Sequence, residues 1–144
     1  MTSYQLVECC AMKRNVLLVD DDAELLFTFR RLLELEGYHV VTASNGRKAV
    51  SEFSVGQFQL AVIDILLPDI RGDELAREIR KMNKEIEVIL ITGNSSFKDC
   101  IDALDLGICD ILLKPIEPAE IVRAANEIFS ERLHRSGKPK VYSS

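Results

Sequence analysis

The sequence predicts an α/β protein, a doubly wound five-stranded parallel sheet with helices on both faces. Three observations predict it. Five short apolar runs, most of them rich in β-branched residues, recur along the chain, as expected of strands buried on both faces. Amphipathic segments of helical period separate them. The chain has 144 residues, enough for one domain with a sizeable core. Five strands are too few for a closed eight-stranded barrel, so the sheet is open.

The elements follow in order. The first strand is Asn15 to Val19 (NVLLV), and the helix after it carries the stripe Leu25, Leu26, Phe29, Leu32 and Leu33. The second strand is His39 to Thr42, followed by a weaker stripe of Ala49, Val50 and Phe53. The third is Leu60 to Ile63, followed by Leu75, Ala76, Ile79 and Met82. The fourth is Glu87 to Ile91, followed by Cys100, Ile101 and Leu104. The fifth is Cys109 to Leu113, and Ile121, Val122, Ala125, Ile128 and Phe129 close the series. Gly37, Gly56 and Gly107 stand where left-handed helix caps are wanted. Pro118 stands at the start of the last helix, where a missing N–H is harmless. Alternating strand and helix implies parallel strands joined by right-handed crossovers.

Composition excludes several function classes. Eighteen basic against twenty-three acidic residues give a net charge of −5, which argues against bulk electrostatic binding to nucleic acid. Cys9, Cys10, Cys100 and Cys109 match no zinc spacing and read as reduced thiols, with Cys109 a small core residue. The N-terminal extension, residues 1–13, has its basic residues after a short apolar stretch broken by Glu8, unlike a secretion signal. No run approaches transmembrane length. The expected location is the cytoplasm, with no membrane partner. The domain is expected over residues 14–132, and residues 133–144 read as a polar tail or linker start.

In doubly wound sheets the reactive crevice lies at the carboxyl ends of the strands. Asp20, Asp21 and Asp22 follow the first strand, Asp64 ends the third, Thr92 and Gly93 follow the fourth, and Lys114 and Pro115 follow the fifth. Asp64 is the notable one, because the run Leu60 to Leu67 (LAVIDILL) is otherwise apolar and an unpaired buried carboxylate is costly. Clustered carboxylates repel and raise each other's pKa. A hard divalent cation relieves that repulsion, and Mg2+ suits few carboxylates plus phosphate oxygens. A lysine adds a partner for carboxylate or phosphoryl oxygen, a threonine a neutral donor, and Gly93 room for close approach. Together they suit phosphoryl transfer, with Asp64 as acceptor.

Each residue also has a structural reading. Asp22 is mainly a helix cap, and Asp20 to Asp22 together could be no more than a capped helix start. Lys-Pro is an ordinary turn, and Asp69 and Asp73 are most simply loop and helix-start residues. A buried acid paired to a lysine could be purely structural. The convergence of all four features on one sheet edge favours the chemical reading.

The motifs VDDD (Val19 to Asp22), VIDILLPDIRG (Val62 to Gly72), ILITGNS (Ile89 to Ser95) and LLKPIEPAEI (Leu112 to Ile121) resemble the receiver domain of bacterial two-component response regulators, over about residues 14 to 132. The resemblance implies a flavodoxin-like strand order, 2-1-3-4-5. It implies that Asp64 accepts a phosphoryl group from a sensor histidine kinase or phosphotransfer protein. Asp20, Asp21, Asp64 and the Leu66 backbone carbonyl match the Mg2+ site. Thr92 and Lys114 match the groups that contact the phosphoryl oxygens, and Lys114-Pro115 matches a commonly cis bond. Phosphorylation adds charge and acceptor oxygens, biasing a two-state surface toward an effector or an output domain. A homodimer through the last two helical segments is a further family pattern.

Two departures stand out. Ile111 occupies a position that is aromatic in many receivers, so coupling is expected to run through the backbone. Leu66 cannot orient water by a side-chain hydrogen bond, whereas Asn94 has that capacity, and a phosphoryl lifetime longer than seconds is expected. Three rivals are weighed. An aspartyl-phosphate phosphatase would use the Asp20–Asp22 pair, but Glu24 stands where that pattern has Thr or Val. A receiver-shaped module that is never phosphorylated is the second. A dinucleotide-binding domain lacks its glycine fingerprint after the first strand.

Overall fold

The computed structural model describes residues 14–93 and 107–137. Five parallel strands form one sheet in the order β2-β1-β3-β4-β5: β1 (Asn15–Val19), β2 (His39–Ala43), β3 (Leu60–Asp64), β4 (Glu87–Thr92) and β5 (Asp110–Leu113). Four helices are described: α1 (Ala23–Leu35), α2 (Gly46–Val55), α3 (Gly72–Met82) and α4 (Pro118–Gly137). The helical stripe at Cys100, Ile101 and Leu104, and Asn94, Cys9 and Cys10, lie outside the described residues.

Strand alternation divides the core. Val16, Leu18, Leu60, Val62, Ile89, Ile91 and Leu112 face one side, with Leu26, Phe29 and Leu33 of α1 and Ile121, Ala125, Ile128 and Phe129 of α4. Leu17, Val19, Ala61, Ile63, Val88 and Leu90 face the other, with Ala49 and Phe53 of α2 and Leu75, Ala76 and Ile79 of α3. Each Val, Leu, Ile or Phe among them contributes roughly 1.5–3 kcal/mol by full burial, which explains why continuous apolar runs became strands here. The chain moves from β1 to β2 in one direction and from β2 to β5 in the other. With right-handed crossovers, that reversal sends α1 to one face and α2 and α3 to the opposite one. The reversal places a crevice between the ends of β1 and β3.

Some local expectations change. Gly37 and Gly107 have positive φ, at 95° and 72°. Gly56 does not: its φ is −110°. It is needed for space, since a Cβ there would lie 2.5 Å from the Phe58 ring. Cys109 is exposed instead of buried, because it precedes β5 at the open edge of the sheet. Met82 is 46 % exposed, as the last residue of α3, where its stripe has run past the sheet. Helix α4 continues to Gly137, so the boundary expected at residue 132 falls within it. Among the described residues no helix is long and apolar enough to cross a membrane.

Candidate functional site

Register aligns the reactive residues. Val19 pairs with Ile63, so the next residues along each strand, Asp20 and Asp64, come side by side at the sheet's carboxyl edge. Thr92 pairs with Leu113, which brings Lys114 to the same edge one strand beyond β4. Asp20, Asp64 and Lys114 continue the alternation of Leu18, Val62 and Leu112, all on the α1–α4 side. Main-chain bonds hold the strand ends: Asp20 N–H to Ala43 O at 3.1 Å, Ile65 N–H to Ile91 O at 2.8 Å, and Lys114 N–H to Thr92 O at 2.8 Å. The Lys114–Pro115 peptide bond is cis.

Asp20, Asp64 and Thr92 are buried, with Asp20 fully inaccessible, whereas Asp21 is exposed at the mouth. Carboxylate oxygens from Asp20, Asp21 and Asp64 lie within 4.8 Å of one another. Lys114 Nζ lies 3.0 Å from Asp64 Oδ2, to which it donates a hydrogen bond. It also lies 3.0 Å from Asp20 Oδ2. That second contact is an ion pair outside hydrogen-bond geometry, for Asp20 Oδ2 is buried and has no hydrogen-bond donor. The other oxygens are engaged: Asp20 Oδ1 accepts from Asp22 N–H at 2.9 Å, and Asp64 Oδ1 accepts from Leu66 N–H at 3.1 Å.

The charges are strained against burial. Burial pushes the Asp20 carboxyl above its ordinary value, and the Asp22 amide and Lys114 oppose this without cancelling it. Burial pulls the Lys114 ammonium down, yet the hydrogen bond to Asp64 and the close negative charges of Asp20 and Asp64 leave it above its ordinary value. One lysine therefore faces three carboxylates, and a buried oxygen lacks a hydrogen bond. An all-oxygen donor set with excess negative charge fits a hard divalent cation. The acidic pocket can hold a metal.

The profile of the response regulator receiver domain matches residues 16–126. The chain belongs to this family. The receiver domain is 34 % identical over 116 residues to the uncharacterized transcriptional regulatory protein YkoG of Bacillus subtilis (strain 168), covering 78 % of this chain and 51 % of that one. It is 31 % identical over 116 residues to the response regulator SaeR of Staphylococcus aureus (strain USA300), covering 81 % and 50 %. The chain spans about half the length of these curated relatives. Among solved structures, a CheY-like response regulator receiver domain protein from Methanospirillum hungatei JF-1 superposes with a TM-score of 0.82 at 29 % identity, covering 85 % of this chain and 98 % of that one. The non-phosphorylated HemR receiver domain from Leptospira biflexa gives 0.77 at 27 % identity, covering 90 % and 100 %.

In this receiver domain the expected residues take distinct places. Asp22 caps α1, its carboxylate accepting from Glu24 and Leu25 N–H at 3.0 and 3.2 Å. Leu66 lies in the loop leaving β3, its side chain 59 % exposed. Ile111 is partly buried against the α2–α3 side of the core. Gly93 is not required by crowding, since a Cβ there would meet Lys114 atoms at an ordinary 3.9 Å. Asp73 is more than a helix-start residue: it is buried and pairs with Arg71 Nε at 3.0 Å. Sequence reasoning missed Asp69, which reaches across to α2 and accepts from Gly46 and Arg47 N–H at 2.8 and 2.9 Å. Those two amides hold its carboxyl below its ordinary value. The available signal was a helix whose first turn carries no acid.

Proposed function

We propose that Asp64 is the phosphoacceptor of this receiver domain. An Asp64 carboxylate oxygen attacks the phosphorus of a phosphohistidine on a sensor histidine kinase or phosphotransfer protein. The P–N bond breaks, the imidazole nitrogen leaves with the electron pair and takes up a proton, and an acyl phosphate forms. Mg2+ would be held by Asp20, Asp21, Asp64 and the Leu66 carbonyl. When bound it supplies neutralisation of charge on the phosphoryl oxygens. Lys114, already at Asp64, pairs with a phosphoryl oxygen, and Thr92 offers its hydroxyl as a donor. The domain acts only on its own phosphorylation and dephosphorylation.

The observation that carries this reading is that Asp64, at the end of a buried strand, shares the Lys114 ammonium with Asp20 and clusters with the Asp20–Asp21 pair. The phosphatase alternative needs Asp22 as its second acid, and Oδ1 of that carboxylate accepts two amides in capping α1. The phosphoryl group adds negative charge and acceptor oxygens at the sheet edge, and the surface around β5 and α4 responds to bind an effector or an output domain. The setting is the cytoplasm, with no direct nucleic-acid contact by this domain, and self-association through the α4 side is compatible with the switch. The test is incubation with acetyl phosphate and Mg2+, followed by peptide mass mapping. Label is expected on the peptide containing Asp64 and absent from Asp64→Asn. Label persisting at that peptide in the variant would overturn the assignment.

A further inference from the structure

The loop from Asp64 to Gly72 is closed at its neck and tied at its tip. At the neck, Gly72 N–H donates to Ile65 O at 2.7 Å, and Leu66 bridges Arg71 in antiparallel fashion. Beside the site, the Leu66 amide donates to Asp64 Oδ1 at 3.1 Å. Beyond the neck Pro68 is exposed, as is the Leu66 side chain, so packing anchors the tip through Leu67 and Ile70, which are partly buried. The polar anchor there is Asp69. Its two oxygens receive the first two amides of α2, Gly46 and Arg47. Asn45 takes the third, from Lys48 at 2.7 Å, and the Asn45 carbonyl takes the fourth, from Ala49 at 3.0 Å. The three donors that the first turn of α2 leaves open are therefore satisfied, two of them by a residue of another loop, and the fourth amide makes the helix's own first bond. Contact between the loops is close, since a Cβ on Gly46 would lie 2.1 Å from Ile70 Cγ2.

We propose that Asp69 is a positioning residue of the acidic site: by clamping the loop tip to the start of α2, it fixes the Leu66 peptide against Asp64 and so sets the affinity for Mg2+. The clamp acts through the main chain between residues 66 and 69, not by contact with the metal. It rests on the reading of Asp20, Asp21, Asp64 and Leu66 as the Mg2+ site. A carboxylate suits the task because both of its oxygens accept, so two adjacent amides are held at once. An asparagine keeps one acceptor and presents a donor to the other amide.

The test is Mg2+ titration by calorimetry on the full chain, without phosphodonor, with folding checked by circular dichroism. Asp69→Ala is expected to weaken Mg2+ binding about 10-fold, the scale of losing an outer group that orients metal ligands, and Asp69→Asn less. Asn45→Ala removes the other side-chain cap of α2 while leaving the loop tied. It is expected to lower the melting temperature as Asp69→Ala does, with Mg2+ affinity unchanged. Wild-type affinity retained in Asp69→Ala, or an equal loss in Asn45→Ala, overturns the proposal. If wild type and Asp64→Asn bind Mg2+ alike, the reading of the site itself falls, and the proposal with it.

Discussion

Lys114 Nζ and Asp64 Oδ2 lie 3.0 Å apart across the carboxyl edge of the sheet, joining β5 to β3 past the end of β4. The lysine side chain is 27 % exposed and that of Asp64 only 5 %, so the pair is screened from water mainly on the aspartate side. The same ammonium also neutralises Asp20.

Removing that ammonium leaves buried carboxylates facing one another. Loss of one partner from a fully buried pair costs about 3–5 kcal/mol, and a part-exposed lysine places the cost near the lower end or below, about 2 kcal/mol. Lys114→Met is therefore expected to destabilise the protein by that amount in EDTA and by less in saturating Mg2+. Urea denaturation under both conditions checks this. An identical loss in both would mean that the lysine and the cation do not balance the same charges.

Gly72 tests how closely α3 approaches the acceptor. A Cβ at Gly72 would lie 2.2 Å from Asp64 O and 2.7 Å from Ile65 Cα, both backbone atoms that cannot rotate away. Gly72→Ala is expected to cost about 3 kcal/mol by overpacking and to slow phosphorylation from acetyl phosphate. Denaturant melts and labelling rates report the two effects separately.

The Asp69 clamp is pH-dependent in a defined direction. Its carboxyl is held below its ordinary value of 3.8 by the Gly46 and Arg47 amides. The folded form thus binds the proton less readily than the unfolded one, and the stabilisation is complete above 3.8 and lost as pH falls through the folded value. The stability gap between wild type and Asp69→Asn should close on acidification. Urea melts from neutral to acid pH measure it, and a gap that widens in acid would contradict the clamp.

Cys109 is exposed but should react slowly. Burial of the sulfur, then its hydrogen bond to Glu87 Oε1 at 2.8 Å, push the thiol up to about 12. At pH 8 that leaves roughly one thiolate in ten thousand, and only the thiolate is nucleophilic. Alkylation followed by peptide mass spectrometry should find Cys109 largely unmodified in wild type. Glu87→Gln should speed its modification.

An apolar Leu66 side chain at the mouth offers no hydrogen bond to an attacking water. The isolated phosphorylated domain is expected to keep its label for longer than seconds. A time course of label loss after removing phosphodonor checks this, and rapid loss would point to another group orienting water.

Much of this protein was legible in its residues alone. Continuous apolar runs at NVLLV, LAVI and EVILI have no polar face to leave in water, so they had to be strands covered on both sides. Strand-helix alternation then places Asp20, Asp64, Thr92 and Lys114 at one edge. Local rules also carried Asp22 as a cap and Pro118 as a helix start. Cys109 and Gly56 were read amiss because exposure and crowding depend on which elements become neighbours: the open edge at β5 for one, the Phe58 ring for the other. The Asp69 clamp likewise joins residues 23 positions apart in sequence. No periodicity encodes such a pairing. The tertiary structure decided it by setting β3 beside β1, which brought the loop after Asp64 against the first amides of α2, where a carboxylate is the group that two open N–H donors require.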